Sequence, residues 1–248
     1  MERVAAWLGL LLVCLAGCQP PSARQARIPV AEFATSLEGR TRGQVHNAVL
    51  CAKRLHKARI APGSTWSFNH AVGQWVRSAG YVRAPVSYGG ILVPAWGGGV
   101  CQTATTLYNA ALLSGLEVVE RHAHTVAPSY VPPGRDAAVA HGIADLRIRN
   151  PYSFPCQIEF SKRGTQLVCT IVALAPPEQV RKQVVQCILQ VELLSSSPAP
   201  TVRGFKPQQG RAGMRVRLWR VCKRGSEIWR ELCHETQYAP LPKSVPNP

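Results

Sequence analysis

Three consecutive glycines, Gly97-Gly98-Gly99, pass through Val100 into Cys101 and then into residues 102–113, whose apolar positions recur at helical spacing. This junction constrains the fold more than any other part of the chain. Glycine permits φ > 0 and close approach of another backbone segment, so the chain is expected to pack tightly around the turn. A helix that opens at the cysteine offers free N–H groups and a partial positive charge, and both favour a thiolate over a thiol. Ala104, Leu107, Tyr108, Ala111 and Leu112 share one face of that helix, and Gly115 suits the position just past its end. Cys101 falls on the same face, so its sulfur is expected to point into the body or a cleft.

The flanking sequence organises around this helix. Residues 42–58 carry Val45, Ala48, Val49, Ala52 and Leu55 at helical spacing, and Pro62-Gly63 then turns the chain into Trp66-Ser67-Phe68-Asn69. Residues 85–94 read as a hairpin turning at Gly89-Gly90. A strand over 116–121 delivers His122 and His124, and alternation over 144–149 predicts another. Residues 156–160 and 165–173 form a hairpin around Lys162-Arg163-Gly164, and a four-residue loop there sets Cys156 opposite Cys169 as a disulfide. Pro176-Pro177 marks a boundary, beyond which 184–194, 214–222 and 227–233 read as strands. The expected class is α+β: a few helices on a mostly antiparallel sheet, followed by a small β extension.

The N-terminus reads as an address. Met1-Glu2-Arg3 is followed by an apolar run over residues 4–13, too short to span a bilayer stably, and then by Leu15-Ala16-Gly17-Cys18. That ending resembles a bacterial lipoprotein signal, in which Cys18 is acylated and becomes the first mature residue. The expected organisation is a signal over 1–17, a tether over 18–30, the main domain over 31–175 and the β extension over 176–248. Gln19, in place of an aspartate, leaves both the cell membrane and an outer membrane open as addresses.

Of nine cysteines, Cys14 leaves with the signal and Cys18 goes to the lipid. The remaining cysteines are odd in number, so in an oxidising compartment at least one stays free unless it pairs between molecules. Net charge is +16 and is unchanged by loss of Glu2 and Arg3. The basic residues are scattered, with no long run and no nucleic-acid motif, so no nucleic-acid partner is expected. An exported chain of this charge meets anionic lipid and wall polymers first.

From about residue 42 to 150 the chain resembles the VanW family of bacterial envelope proteins. The resemblance rests on Pro62-Gly63 with Ser67-Phe68-Asn69, Gly80-Tyr81 with Ala84-Pro85-Val86, and Gly97-Gly98-Gly99-Val100-Cys101-Gln102 with Thr105-Thr106-Leu107-Tyr108-Asn109-Ala110. It continues through Glu120-Arg121-His122-Ala123-His124, Tyr130-Val131-Pro132-Pro133-Gly134-Arg135-Asp136-Ala137 and Asp145. Thr125 stands where the family usually has serine, and His141 where an aromatic is expected. The resemblance implies action on or near peptidoglycan stem peptides. Some members look like L,D-transpeptidases that use the cysteine matching Cys101 to form 3→3 cross-links.

Cysteine acyl transfer needs a thiolate, a base, a group that orients the base and donors for the oxyanion. Cys101 supplies the first and His124 the second. Asp136 is preferred over Asp145 as the orienting carboxylate, because it sits inside the Gly-Arg-Asp-Ala motif. Backbone N–H groups around Gly98, Gly99 and Gln102 are candidates for the oxyanion pocket. Asn69, Gln102, Arg121 and Arg135 are candidate substrate contacts, the arginines through a fork on stem-peptide carboxylates. No metal or cofactor is required by this chemistry. The alternative on the same residues is zinc or copper at His122 and His124, whose spacing puts both on one face of a strand. A second reading of the whole chain is an anchored, non-catalytic wall-binding or scaffolding module.

Overall fold

The computed structural model describes residues 26–203 and 209–245. The signal, Cys14, Cys18 and the first part of the tether therefore lie outside the described residues. In chain order come β1 (Arg27–Ser36), α1 (Arg42–Leu55), β2 (Arg59–Ile60), β3 (Thr65–Ser67), α2 (Phe68–Val72), β4 (Arg83–Tyr88), β5 (Ile91–Trp96) and α3 (Val100–Leu113). They are followed by β6 (Glu117–Glu120), β7 (Arg147–Arg149), β8 (Cys156–Arg163), β9 (Gln166–Leu174) and α4 (Pro177–Gln183). The chain ends with β10 (Gln186–Ser197), β11 (Thr201–Arg203), β12 (Gly213–Arg224), β13 (Glu227–Tyr238) and β14 (Lys243–Val245). The class is α+β. Apart from the parallel pair of β11 and β14, the strand pairings are antiparallel.

The main sheet has the order β1-β9-β8-β2, and α3 packs against β1 and β9 while α1 packs against β8. Apart from Cys101 and Leu113, every residue of α3 is buried. A helix buried all round is unusually rich here in threonine, and each polar side chain must find a partner there. Thr103 donates to the Ala48 carbonyl of α1 at 3.0 Å, Gln102 Nε2 to Ser36 O of β1 at 2.7 Å, and Thr106 pairs with Thr35 at 2.9 Å. These bonds lock the helix about its own axis, so the direction of Cys101 is fixed.

The glycine turn is a packing requirement. A Cβ on Gly98 would lie 2.6 Å from the Pro85 carbonyl and 2.7 Å from that of Ala84, both in β4. On Gly99, where φ is +112°, it would strike the Gln44 carbonyl of α1. The Gly98 carbonyl accepts from Asn47 Nδ2 at 2.9 Å, which ties the turn to α1 from the other side.

Two expectations are corrected. The tether ends earlier than residue 30: from Arg27 the chain is already β1, held edge-on to β9 from Arg27↔Leu174 onward. Its apolar residues are interrupted by charged ones, so backbone pairing defines this strand more than any pattern. The Cys156–Cys169 disulfide does not form. The β8–β9 hairpin turns through Gly164-Thr165 alone, which sets Cys156 opposite Ala173 and Cys169 opposite Phe160. Cys169 is then four residues (roughly 13 Å) along the strand from the position opposite Cys156, beyond disulfide reach. Among the described residues the disulfide is Cys187–Cys222, directly opposed on β10 and β12, and Cys51, Cys101, Cys156, Cys169 and Cys233 are free.

Gly99→Ala combines a positive φ with a collision against backbone, and is expected to destabilise the fold by about 3 kcal/mol or more. Gly164→Ala, at φ +57° with nothing within 4 Å, isolates the conformational part and should cost about 1–2 kcal/mol. Denaturant midpoints of the two variants check the difference.

Candidate active site

The site is built by a match of two repeats. Along α3, Cys101, Thr105 and Asn109 are spaced four apart and stack about 6 Å from one another on one face. Beside them the extended segment 135–139 advances about 6.6 Å for every two residues. The rows run in opposite directions and meet three times. Asn109 Nδ2 donates to the Arg135 carbonyl at 2.7 Å, and Thr105 Oγ1 accepts from the Ala137 N–H at 3.0 Å and donates to its carbonyl at 3.2 Å. The Cys101 thiol reaches the Val139 carbonyl at 3.4 Å.

The other edge of that segment carries the histidine. Ala138 N–H donates to the His122 carbonyl at 2.8 Å, an antiparallel bridge whose register sets His124 across from Asp136. Asp136 Oδ2 accepts from the His124 backbone N–H at 2.8 Å and faces its Nδ1 at 2.6 Å. The other ring nitrogen, Nε2, is thus left for Cys101, whose ionisation the neighbouring imidazole favours. Asp136 Oδ1 accepts from Arg121 Nη2 at 2.7 Å and from the Tyr238 hydroxyl of β13. Arg121 Nε also holds the Asp136 carbonyl at 2.7 Å, and its Nη1 donates to Thr236 Oγ1 at 2.8 Å. The Asp136 carboxylate is 0% exposed and the Arg121 side chain 8%, whereas 17% of the His124 side chain remains open to solvent.

Burial alone would make all three groups neutral. For Asp136 that penalty is overcome by the His124 hydrogen bond and the Arg121 charge, which hold the carboxyl well below its usual range. For His124 burial favours the neutral ring, but the bond to Asp136 and then the Cys101 sulfur push its pKa up to about 10. Burial likewise opposes ionisation of Cys101, yet the interaction with His124 outweighs it and lowers the thiol below its ordinary value. The two shifts run in the direction that favours a thiolate–imidazolium pair. The other free cysteines with no such partner go the opposite way: burial raises Cys156 to about 12 and Cys233 to about 11.

Cys101, His124 and Asp136 come together as expected. The proposed substrate contacts do not. Arg121 is committed to Asp136 and Thr236, so it has no fork to offer a ligand. Arg135 lies over the Phe33 ring with its Nε on Asn109 Oδ1 at 2.7 Å. Gln102 points into the core at Thr35 and Ser36, and Asn69 Nδ2 holds the Ala140 and Ala144 carbonyls at 3.3 and 2.8 Å. Gly98 and Gly99 serve the packing of β4 and α1, and the Val100 and Gln102 N–H groups donate to Gly97 and Gly99 carbonyls at 2.9 and 3.1 Å. Asp145, the alternative orienting group, instead accepts from Ser67 Oγ at 2.5 Å and Asn69 N–H at 2.8 Å. His122 turns to Glu120 at 2.9 Å while His124 turns to Asp136, and among the described residues no cluster of three metal-ligating side chains occurs.

Tyr238, Thr236, Thr105 and Asn109 escaped the sequence reading as parts of the site. The alternation of His234, Thr236 and Tyr238 along β13 is the signal that they share one face.

A family model described as VanW like protein matches residues 43–172 of the chain. The chain belongs to the VanW family. Over 142 residues it is 37% identical to a Bacillus subtilis protein described as uncharacterized protein YoaR, covering 57% of this chain and 47% of that one. Over 144 residues it is 28% identical to the vancomycin B-type resistance protein VanW of Enterococcus faecalis, covering 56% and 52% respectively. The chain thus spans about half the length of these curated relatives. No solved structure matches it. The whole constellation of Cys101, Arg121, His124 and Asp136 falls inside the VanW-matched stretch.

His124→Ala leaves the half-buried Cys101 thiol without its compensating charge, so alkylation at neutral pH should slow by about tenfold or more, read by peptide-resolved mass spectrometry. Asp136→Asn should lower stability at neutral pH by about 3 kcal/mol, since Arg121 loses its buried partner. Because the folded-state pKa of Asp136 is depressed, its contribution is fully present above about pH 4 and lost as pH falls through the folded value. The stability gap between the two proteins should close on acidification.

Proposed function

We propose that this VanW-family chain is an exported protein, anchored by lipid at Cys18 and facing the wall or periplasm, that transfers acyl groups on peptidoglycan stem peptides through Cys101. The observation that carries this reading is the half-buried Cys101 sulfur paired with His124, which is itself held by a fully buried, ionised Asp136. A structural cysteine has no use for a buried ion pair, which is costly to maintain. One relative is named a vancomycin B-type resistance protein, which agrees with a role at peptidoglycan. Among the described residues no helix is long and apolar enough to cross a membrane.

The Cys101 thiolate attacks the carbonyl of the third residue of a donor stem. The tetrahedral intermediate collapses as the His124 imidazolium gives its proton to the leaving terminal D-alanine amine, and a thioester remains. The amine of a neighbouring stem then attacks, His124 takes up the proton it loses, and the thiolate is released with a 3→3 amide formed. Asp136 holds the ring so that one nitrogen always faces the sulfur. Dipoles at the start of α3 favour the anionic sulfur.

Full-length protein and Cys101→Ala are incubated with tetrapeptide-stem muropeptides. The expected result is an acyl adduct on Cys101, free D-alanine and a cross-linked dimer, each absent from the variant. Muropeptide binding without adduct or D-alanine release, across donor stems, overturns the enzymatic reading and leaves an anchored binding module.

A further inference from the structure

We infer that β13, outside the stretch that carries the family match, is a working part of the site, and that Tyr238 is a positioning residue setting the charge that Asp136 presents to His124 and Cys101. The inference rests on the acyl-transfer reading of that same site.

The geometry comes from two separated parts of the chain. The VanW-matched stretch ends at residue 172, and β13 lies far beyond it, reached through α4 and two long strands. Even so, three consecutive inward positions of β13 meet the catalytic network. His234 Nε2 pairs with the Tyr108 hydroxyl of α3 at 2.8 Å, and its Nδ1 with Thr236 Oγ1 at 3.0 Å. Thr236 Oγ1 accepts from Arg121, and Tyr238 donates to Asp136. Tyr238 is 2% exposed, and its oxygen also accepts from the Gly134 N–H at 2.7 Å. The hydroxyl is therefore fixed from both sides, one lone pair on backbone and its proton on the carboxylate.

Four donors saturate Asp136: two from His124 on Oδ2, and Arg121 with Tyr238 on Oδ1. The charged and titratable groups around it come from every packed element. Arg121 and His124 flank it from the segment after β6, Cys101 and Tyr108 from α3, and Tyr130 from the connecting loop. His234 and Tyr238 approach from β13, and Cys51 of α1 lies beyond Cys101. Burial and the Asp136 charge push the Tyr238 phenol well above its ordinary value, so it stays a proton donor. Burial and the Arg121 charge lower His234 to about 4, so that ring is neutral and adds no charge of its own.

The direction of the effect follows from charge. A phenol that donates to a carboxylate draws off part of its negative potential. When that donor is lost, the carboxylate stabilises the imidazolium more and opposes the thiolate more. Ionisation of Cys101 and deprotonation of His124 both then move to higher pH. A stronger donor moves both to lower pH. A purely structural defect lowers reactivity but does not drive two titrations together, nor reverse their sign with phenol acidity.

Two readouts are taken on the full-length protein. The first is the pH dependence of Cys101 alkylation by iodoacetamide, resolved by peptide mass spectrometry, and the second is the His124 imidazole titration by NMR. Tyr238→Phe is expected to shift both upward by about half a unit. Site-specific 3-fluorotyrosine at 238 keeps the hydroxyl and the fold, and is expected to shift both downward. Unchanged titrations with fluorotyrosine at 238 overturn the inference, and this holds even where Tyr238→Phe fails to fold. If instead the unmodified protein alkylates at Cys101 only in the ordinary thiol range, the acyl-transfer reading itself falls. Tyr88→Phe, at an exposed hydroxyl of the β4–β5 hairpin, serves as the control that moves neither titration.

Discussion

Everything at this site depends on one helix face lying alongside one extended segment. Four residues of α-helix and two residues of strand advance by nearly the same distance, so Cys101, Thr105 and Asn109 can each engage 139, 137 and 135 in turn. All three contacts run between side chain and backbone, and so hold the segment irrespective of what its own side chains do. Asp136, between the clamped residues 135 and 137, is thereby aimed away from the helix row and at His124. The sulfur at the head of the row and the ring at the far edge converge as a result.

The same arrangement resolves the electrostatic problem of burying charge. An ionised carboxylate with no exposure is stable only if every acceptor site is met, and Asp136 has four donors, two of them from Arg121 and Tyr238. Positive charge is then favoured on a ring with partial access to solvent, and that charge in turn favours ionisation of a sulfur at a helix N-terminus. Each step has a partner. Arg121 in turn is held by Thr236 of the C-terminal sheet, which also packs on the main core through Leu218 of β12.

The sequence made the elements legible where a local rule applies. The 3.6-residue pattern over 42–58 became α1, ending three residues sooner than expected; Gly89-Gly90 became the β4–β5 turn; and the glycine run became the N-terminal cap of α3. Hairpin register was not legible, because Lys162, Arg163, Gly164 and Thr165 are compatible with more than one turn length, and one choice separates Cys156 from Cys169. The roles of Asn69, Gln102, Arg121 and Arg135 were misjudged for a related reason. Polar residues in a motif suit a ligand and a buried backbone group equally well, and nothing local distinguishes the two.

What the chain determines by itself is the setting of the proposed nucleophile: a cysteine at the second position of a helix, released from steric restraint by glycines, with a histidine and a carboxylate within one short stretch. What only the tertiary structure decides is which cysteines stay free and which distant strand completes the site. The motif already favours Asp136 over Asp145, and the register of the 122–138 bridge supplies the physical reason by setting Asp136 across from His124. Tyr238 has no local reason to matter. It matters because β13 folds back over a buried charge that needs one more donor.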